Sequence, residues 1–179
     1  LGSKFGEDYL AVNTILMQFI ILAAFFLDAY AFSTEGVIGF TIGRKNKNSF
    51  LSIVKNSIQI SFITALILSF VYIIFFKQII NTITDIELLR FISYKHFLWV
   101  IVIPPIASFC YQLDGIFIGA SQTREMRNAM IFSVLSFIII SIYLTKYFGN
   151  HGLWFSLMCF MIFRSLTLKF YFNKILRKF

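Results

Sequence analysis

Charge is scarce in this chain. Asp, Glu, Lys and Arg make up 13% of its 179 residues, where an ordinary soluble domain carries about 25%. That leaves too few charged side chains to cover a water-facing surface. Proline numbers two, so long apolar stretches run with few breakers. Cysteine also numbers two. Cys110 and Cys159 lie inside apolar stretches, with no Cys-x-x-Cys pair and no Cys/His ligand spacing. That excludes a disulfide framework and a zinc site, and the two read as small buried hydrophobes. Reaction motifs are missing too: there is no nucleophile elbow, no HExxH helix and no phosphate loop. The apolar-segment aspartates stand as Leu27-Asp28-Ala29 and Leu113-Asp114-Gly115, without the Gly-x-Gly-Asp context that an intramembrane aspartyl protease needs. No enzyme activity and no cofactor are expected. No signal peptide is recognisable, and the chain begins at Leu1 rather than Met, which reads as the remainder of a longer protein.

What is abundant is hydrocarbon. Hydrophobic residues make up 59% of the chain and 24 residues are Phe; the mean hydropathy is +0.82. A chain of this size has too little interior to hide that much apolar surface from water. A bilayer accommodates it, provided every backbone polar group is paired internally, which leaves helices or a closed barrel. The apolar runs are continuous rather than alternating, so they read as helices. The expected fold class is all-α: a polytopic transmembrane bundle.

Five segments reach the roughly 20 residues a crossing needs. They span about 9–42, 50–76, 89–120, 129–148 and 153–171. Turn-forming residues separate them: Gly43 to Asn48, Asn81 to Asp85 with N-cap choices before the third segment, Ser121 to Glu125, and Gly149-Asn150-His151-Gly152. Links this short predict antiparallel neighbours.

The net charge of +8 is gathered at segment ends. It reads as a topology signal and as contact with anionic headgroups of the lipid bilayer, not as a nucleic-acid surface. Arg44, Lys45, Lys47, Lys55, Arg124, Arg127, Lys169, Lys174, Arg177 and Lys178 fall on one side. Lys4, Lys77, Arg90, Lys95 and Lys146 fall on the other, beside Glu7, Asp8, Asp85 and Glu87. The cation-rich side is then cytoplasmic. The N-terminal end lies outside, the C-terminus inside, and the first, third and fifth segments run inward.

Four ionisable residues sit deep in apolar segments: Asp28, Glu35, Asp114 and Arg164. A charge at the bilayer centre costs about 2.5–3.5 kcal/mol on insertion scales, so such residues need partners, protons or a wet cavity. Counted from the nearest flanking cations, Glu35, Asp114 and Arg164 all lie roughly 14–15 Å inside the cytoplasmic boundary, with Asp28 about 10 Å further out. Two readings stand: a structural ion pair in which Arg164 locks Asp114 or Glu35, or a polar cluster lining an ion or substrate path. Three acids against one cation favour the second, with a proton or a sodium ion at a carboxylate such as Asp114. Gln112 and Tyr111 are candidate substrate-cavity residues. Pro104 and Pro105 interrupt the hydrogen-bond ladder of the third segment and are a candidate hinge. Gly115 and Gly119 permit close helix approach, and Gly36, Gly39 and Gly43 suggest tight packing. His96, Lys95, Trp99 and Trp154 suit the outer interface.

One resemblance gathers these residues. The run Leu113-Asp114-Gly115-Ile116-Phe117-Ile118-Gly119-Ala120, followed by Thr123-Arg124-Glu125-Met126-Arg127-Asn128-Ala129-Met130, resembles the tenth helix and following loop of MATE (multidrug and toxic compound extrusion) transporters, in the branch of DNA-damage-inducible protein F (DinF). Phe26-Leu27-Asp28-Ala29-Tyr30-Ala31 with Glu35 and Ile42-Gly43 is similar to the eighth helix. Gly149-Asn150-His151-Gly152-Leu153-Trp154 and Arg164-Ser165-Leu166-Thr167-Leu168 are similar to the entry and interior of the twelfth. The resemblance implies that the five segments correspond to helices eight to twelve of a twelve-helix, two-lobe antiporter. Such a protein exports organic, often cationic, drugs across the plasma membrane against H+ or Na+. It further implies that Asp114, Asp28 and Glu35 fall at the second lobe's acidic positions. The partners it implies are small-molecule substrates, the first lobe and the seventh helix, neither of which is present in these residues. A flippase for lipid-linked oligosaccharides, or a remnant that only packs against another membrane chain, are the alternative readings. The flippase should line its cavity with several cations, whereas Arg164 is the one deep cation here.

Overall fold

The computed structural model describes residues 5–179; Leu1 and Lys4, used above for chain start and topology, lie outside the described residues. The chain is helical almost throughout. Helix α1 spans Glu7–Gly43, α2 Lys47–Ile83, α3 Glu87–Gly119 and α4 Thr123–Leu176. All four are long and apolar enough to cross a membrane, and the chain is a multi-pass membrane protein. The helices overrun the apolar segments because polar residues at their ends continue the hydrogen-bond ladder.

The expected count of five helices is corrected to four helical elements. The last two segments are one element of 54 residues, about 80 Å if straight, against a hydrocarbon core of roughly 30 Å. It cannot stay straight. Gly149 has φ 55° and ψ −135°, a conformation open essentially to glycine alone, and the direction of α4 changes there. Residues 150–152 then resume helical bonding rather than forming the four-residue linker expected. A Cβ on Gly152 would collide with the backbone of Leu144 and Thr145. The two arms of α4 run antiparallel. Phe137 packs edge-on to Phe160, and Phe132 to Phe163, both with ring centres 6.2 Å apart; Glu125 meets Lys174 at 3.0 Å.

Contacts between elements give the other directions. Tyr72 donates to the Phe19 carbonyl at 2.7 Å and Thr64 to the Tyr30 hydroxyl at 3.2 Å, so α1 and α2 are antiparallel. Phe76–Phe97 and Phe62–Phe109 ring pairs run α2 against α3. Helix α1, α3 and the second arm of α4 run the same way. The closest approach is between α1 and α3. A Cβ on Gly115 would collide with the Ala31 backbone, and one on Gly119 with that of Glu35. Tight packing was also expected at Gly36, Gly39 and Gly43. A Cβ on Gly36 or Gly43 would meet nothing within 4 Å, and one on Gly39 makes only ordinary contact. The small residues that matter are thus on α3.

Short links are capped locally. Asn46 accepts from the Ser49 N–H at 3.0 Å and starts α2. The N-cap choices expected before α3 are not used: its N-cap is Ile86, with no side-chain cap. Helix α2 runs on through Asn81 to Ile83. Arg90 closes it by donating to the Thr84 and Asn81 carbonyls at 2.7 and 3.0 Å while pairing with Asp85 at 3.0 Å.

Large hydrophobes face outward, as a lipid solvent favours: Phe32 is 70% exposed and Phe170 80%. The buried hydrophobes form two clusters. One holds Val12 to Leu27 of α1 with Tyr72, Phe76, Ile103, Ala107 and Trp154. The other holds Ile38, Phe50, Leu113, Ile116, Phe117, Leu168 and Ile175. The gap between them carries the functional candidates.

Candidate functional site

Between the two clusters lies a polar belt. Asp114 of α3 and Arg164 of the second α4 arm form a two-point ion pair. Nη2 of Arg164 meets Oδ2 of Asp114 at 2.8 Å, and Nε donates to Oδ1 at 3.1 Å. Both side chains are largely buried, at 17% and 15% exposure. The guanidinium's Nη1 lies 3.1 Å from the Met130 sulfur on the other arm, a residue not singled out from the sequence. Cys110, one turn before Asp114, places its sulfur 4.0 Å from Oδ2. Of the two partners the sequence left open for Arg164, the structure joins it to Asp114.

Levels differ from those counted along the sequence. Gly115 faces Ala31 and Gly119 faces Glu35. Asp28, one turn before Ala31, therefore lies within about 3 Å of the Asp114 level along the axis, and Glu35 about 7 Å away. The single layer of Glu35, Asp114 and Arg164 is corrected: Asp28 replaces Glu35 in it. The count from flanking cations fails because α1 extends past the end of α3, so Arg44 and Arg124 do not mark one plane. Among the described residues, neither Asp28 nor Glu35 has an ion-pair partner within 4 Å. Both are half-buried.

Gln112 was expected near a cavity. It is instead fully buried in the α1–α3 seam, where its Oε1 accepts from Thr34 at 3.0 Å while its Nε2 finds no partner. Tyr111, half-buried, packs against the first cluster. Pro104 and Pro105 sit inside α3, which remains helical across them. Pro105 has no N–H to give to the Ile101 carbonyl, one turn back. Ser69 of α2 donates to that carbonyl at 2.8 Å. The freed acceptor is thus satisfied from a neighbouring helix. A serine in an apolar helix opposite a proline was the missed signal.

At the end near Gly149, Asn13, Asn150 and Trp154 engage one another, while the buried Nε2 of His96 has no hydrogen-bond partner among the described residues. Asn13 and Asn150 exchange amide hydrogen bonds at 2.7 and 2.9 Å, and Trp154 Nε1 donates to Asn13 Oδ1 at 2.9 Å. Trp154 and His96 were expected at the interface. Both are instead buried. His96 donates from Nδ1 to the Ile92 carbonyl at 2.8 Å, and its ring stacks on His151 at 4.2 Å. Trp99, half-buried, donates to His151 at 3.0 Å. Asn13, mid-helix in an apolar run, was the readable sign of this clasp.

Among the described residues, no three His, Cys, Asp or Glu side chains gather as a metal-binding group.

Comparison with known proteins bears on the family of the chain. The MatE family model matches residues 1–145. DNA damage-inducible protein F of Escherichia coli (strain K12) is 33% identical over 168 residues, covering 94% of this chain and 36% of that protein's length. No solved structure matches. A family model that covers most of a chain of membrane-crossing helices, with this relative beside it, identifies the chain as a member of the MatE family.

Proposed function

We propose that this chain forms part of a secondary antiporter that exports organic, cationic compounds across the plasma (inner) membrane in exchange for protons. The Asp114–Arg164 pair carries the reading. It is a charged, two-point contact between two helices at a depth where charge is expensive, near the level of Asp28, and neither Asp28 nor Glu35, about 7 Å from the Asp114 level along the axis, has an ion-pair partner among the described residues.

The pair supports a proton over a sodium ion. Both carboxylate oxygens of Asp114 already face the guanidinium. A sodium ion would have to enter beside a fixed positive charge and compete for the same oxygens. A proton neutralises the carboxylate and removes the attraction that holds Arg164. The second arm of α4 is then free to shift against α3, whose ladder Pro104 and Pro105 interrupt. The unpaired acids suit cationic cargo, which would be repelled by a cation-lined flippase cavity. The cation-rich ends, Arg44 to Lys47, Arg124 to Arg127 and Lys174 to Lys178, support a cytoplasmic C-terminus and an N-terminal end outside.

Proteoliposomes holding the protein at full length test this. A pH gradient should drive efflux of a fluorescent organic cation, and a sodium gradient alone should not. Asp114→Asn should abolish the pH-driven flux and Glu35→Gln reduce it. Sodium-driven efflux, or undiminished proton-driven efflux in Asp114→Asn, overturns the reading. Movement of a labelled lipid carrier instead would favour the flippase.

A further inference from the structure

Two cavities on the outside of the bundle meet at Pro105 and Ile106. One, about 420 Å³, lies between Leu66, Phe70 and Ile73 of α2 and Ile101 and Val102 of α3. The other, about 310 Å³, is walled by Phe62, Phe109, Leu113 and Leu166 and lined at its edge by Ser165 and Lys169. Together they make one groove. From Phe62 to Ile73 it runs about 16 Å along α2, close to the roughly 15 Å depth of one leaflet's hydrocarbon, half of the full core. Its walls are apolar and no acidic residue lines it. Its one charged lining residue, Lys169, stands at the Phe62 end, exposed and with no ion-pair partner among the described residues. Lys174 and Arg177 follow on the same arm toward the same end.

A groove with a lysine at one end and hydrocarbon along the rest repels a cationic cargo. It complements a molecule with one anionic head and one long apolar tail. We propose that the groove holds an acyl chain of an anionic phospholipid, with the Lys169 ammonium on its phosphate and Ser165 beside it. The site is distinct from the Asp114 belt and does not depend on the transport reading.

Native mass spectrometry of the full-length protein tests it. The protein is released from detergent with an equimolar mixture of phosphatidylglycerol and phosphatidylcholine of the same chains. Wild type should retain phosphatidylglycerol preferentially. Lys169→Gln should cut that preference by roughly five-fold, the worth of one cation at an anionic headgroup. Ile106→Trp, which fills the junction of the two cavities, should remove the retained lipid. Should the tryptophan variant fail to fold, Ile106→Ala, which only widens the groove, should keep the preference while Lys169→Gln loses it. Lys146→Gln, remote from the groove, should change nothing. An undiminished preference in Lys169→Gln overturns the proposal. So does a wild-type protein that retains no lipid because another part of the protein covers the groove, or one that takes tetraphenylphosphonium there in place of phosphatidylglycerol.

Discussion

Two polar regions cross the same bundle, and they are built differently. Near Gly149, Asn13, Asn150 and Trp154 satisfy one another through three hydrogen bonds between α1 and α4. In the middle, the belt is left partly open. Asp28 and Glu35 have no ion-pair partner among the described residues, and the buried Gln112 amide has no acceptor. Its one strong contact joins α3 to the second arm of α4, 50 residues apart in sequence. A satisfied network holds one geometry; an unsatisfied one has something to gain from a proton, a ligand or a second arrangement. On the proposed antiport reading, the clasp is the fixed end and the belt the part that changes. The two clusters of buried hydrophobes on either side of the belt allow it to change without opening the whole core.

The largest expected effect bears on the belt. Asp114→Asn leaves the Arg164 guanidinium buried without its anion, and the full-length protein in detergent should lose about 3 kcal/mol in denaturant unfolding. A loss no greater than that of an exposed pair such as Arg90–Asp85 would place the belt among ordinary surface contacts. Next comes the α1–α3 seam. Gly115→Val drives a side chain into the Ala31 backbone and should cost about 2 kcal/mol. Gly36→Ala, in open space on α1, should cost nothing measurable. If the two were equal, close backbone approach would not be what sets the level of Asp28 against Asp114. The smallest effect belongs to the clasp. Asn13→Ala should lose about 1–2 kcal/mol of stability yet keep the same coupling ion and the same pH dependence of efflux. A changed coupling ion in Asn13→Ala would erase the distinction between a fixed and a changing end.

Much of the fold was legible because hydropathy in lipid is a coarse, strong signal. Helical content, element order and relative directions all follow from apolar runs and short links. The last division was not, because the Gly149 to Gly152 stretch looks like a linker by composition, while its residues resume helical bonding after a single glycine turn. Asp114 and Arg164 were legible as isolated charges in apolar segments. Their pairing was not, since Glu35 lay as near by residue count, and only the register fixed by Gly115 on Ala31 and Gly119 on Glu35 separates the two. Gln112 was misplaced because a polar residue beside an aspartate reads equally well as cavity wall or helix seam. Ser69 and Asn13 went unnoticed for the opposite reason: one small polar residue in a long helix carries little signal until its partner across the bundle is known.

The central claim is that the Asp114–Arg164 pair serves proton coupling rather than architecture alone. The double variant Asp114→Asn/Arg164→Gln removes both charges together and leaves no buried ion unpaired, so its stability should return close to wild type. The decisive measurement is efflux of an organic cation driven by a pH gradient in proteoliposomes of that folded double variant. Loss of proton-driven efflux is predicted. Retention at the wild-type rate would contradict the account and leave the pair a structural tie.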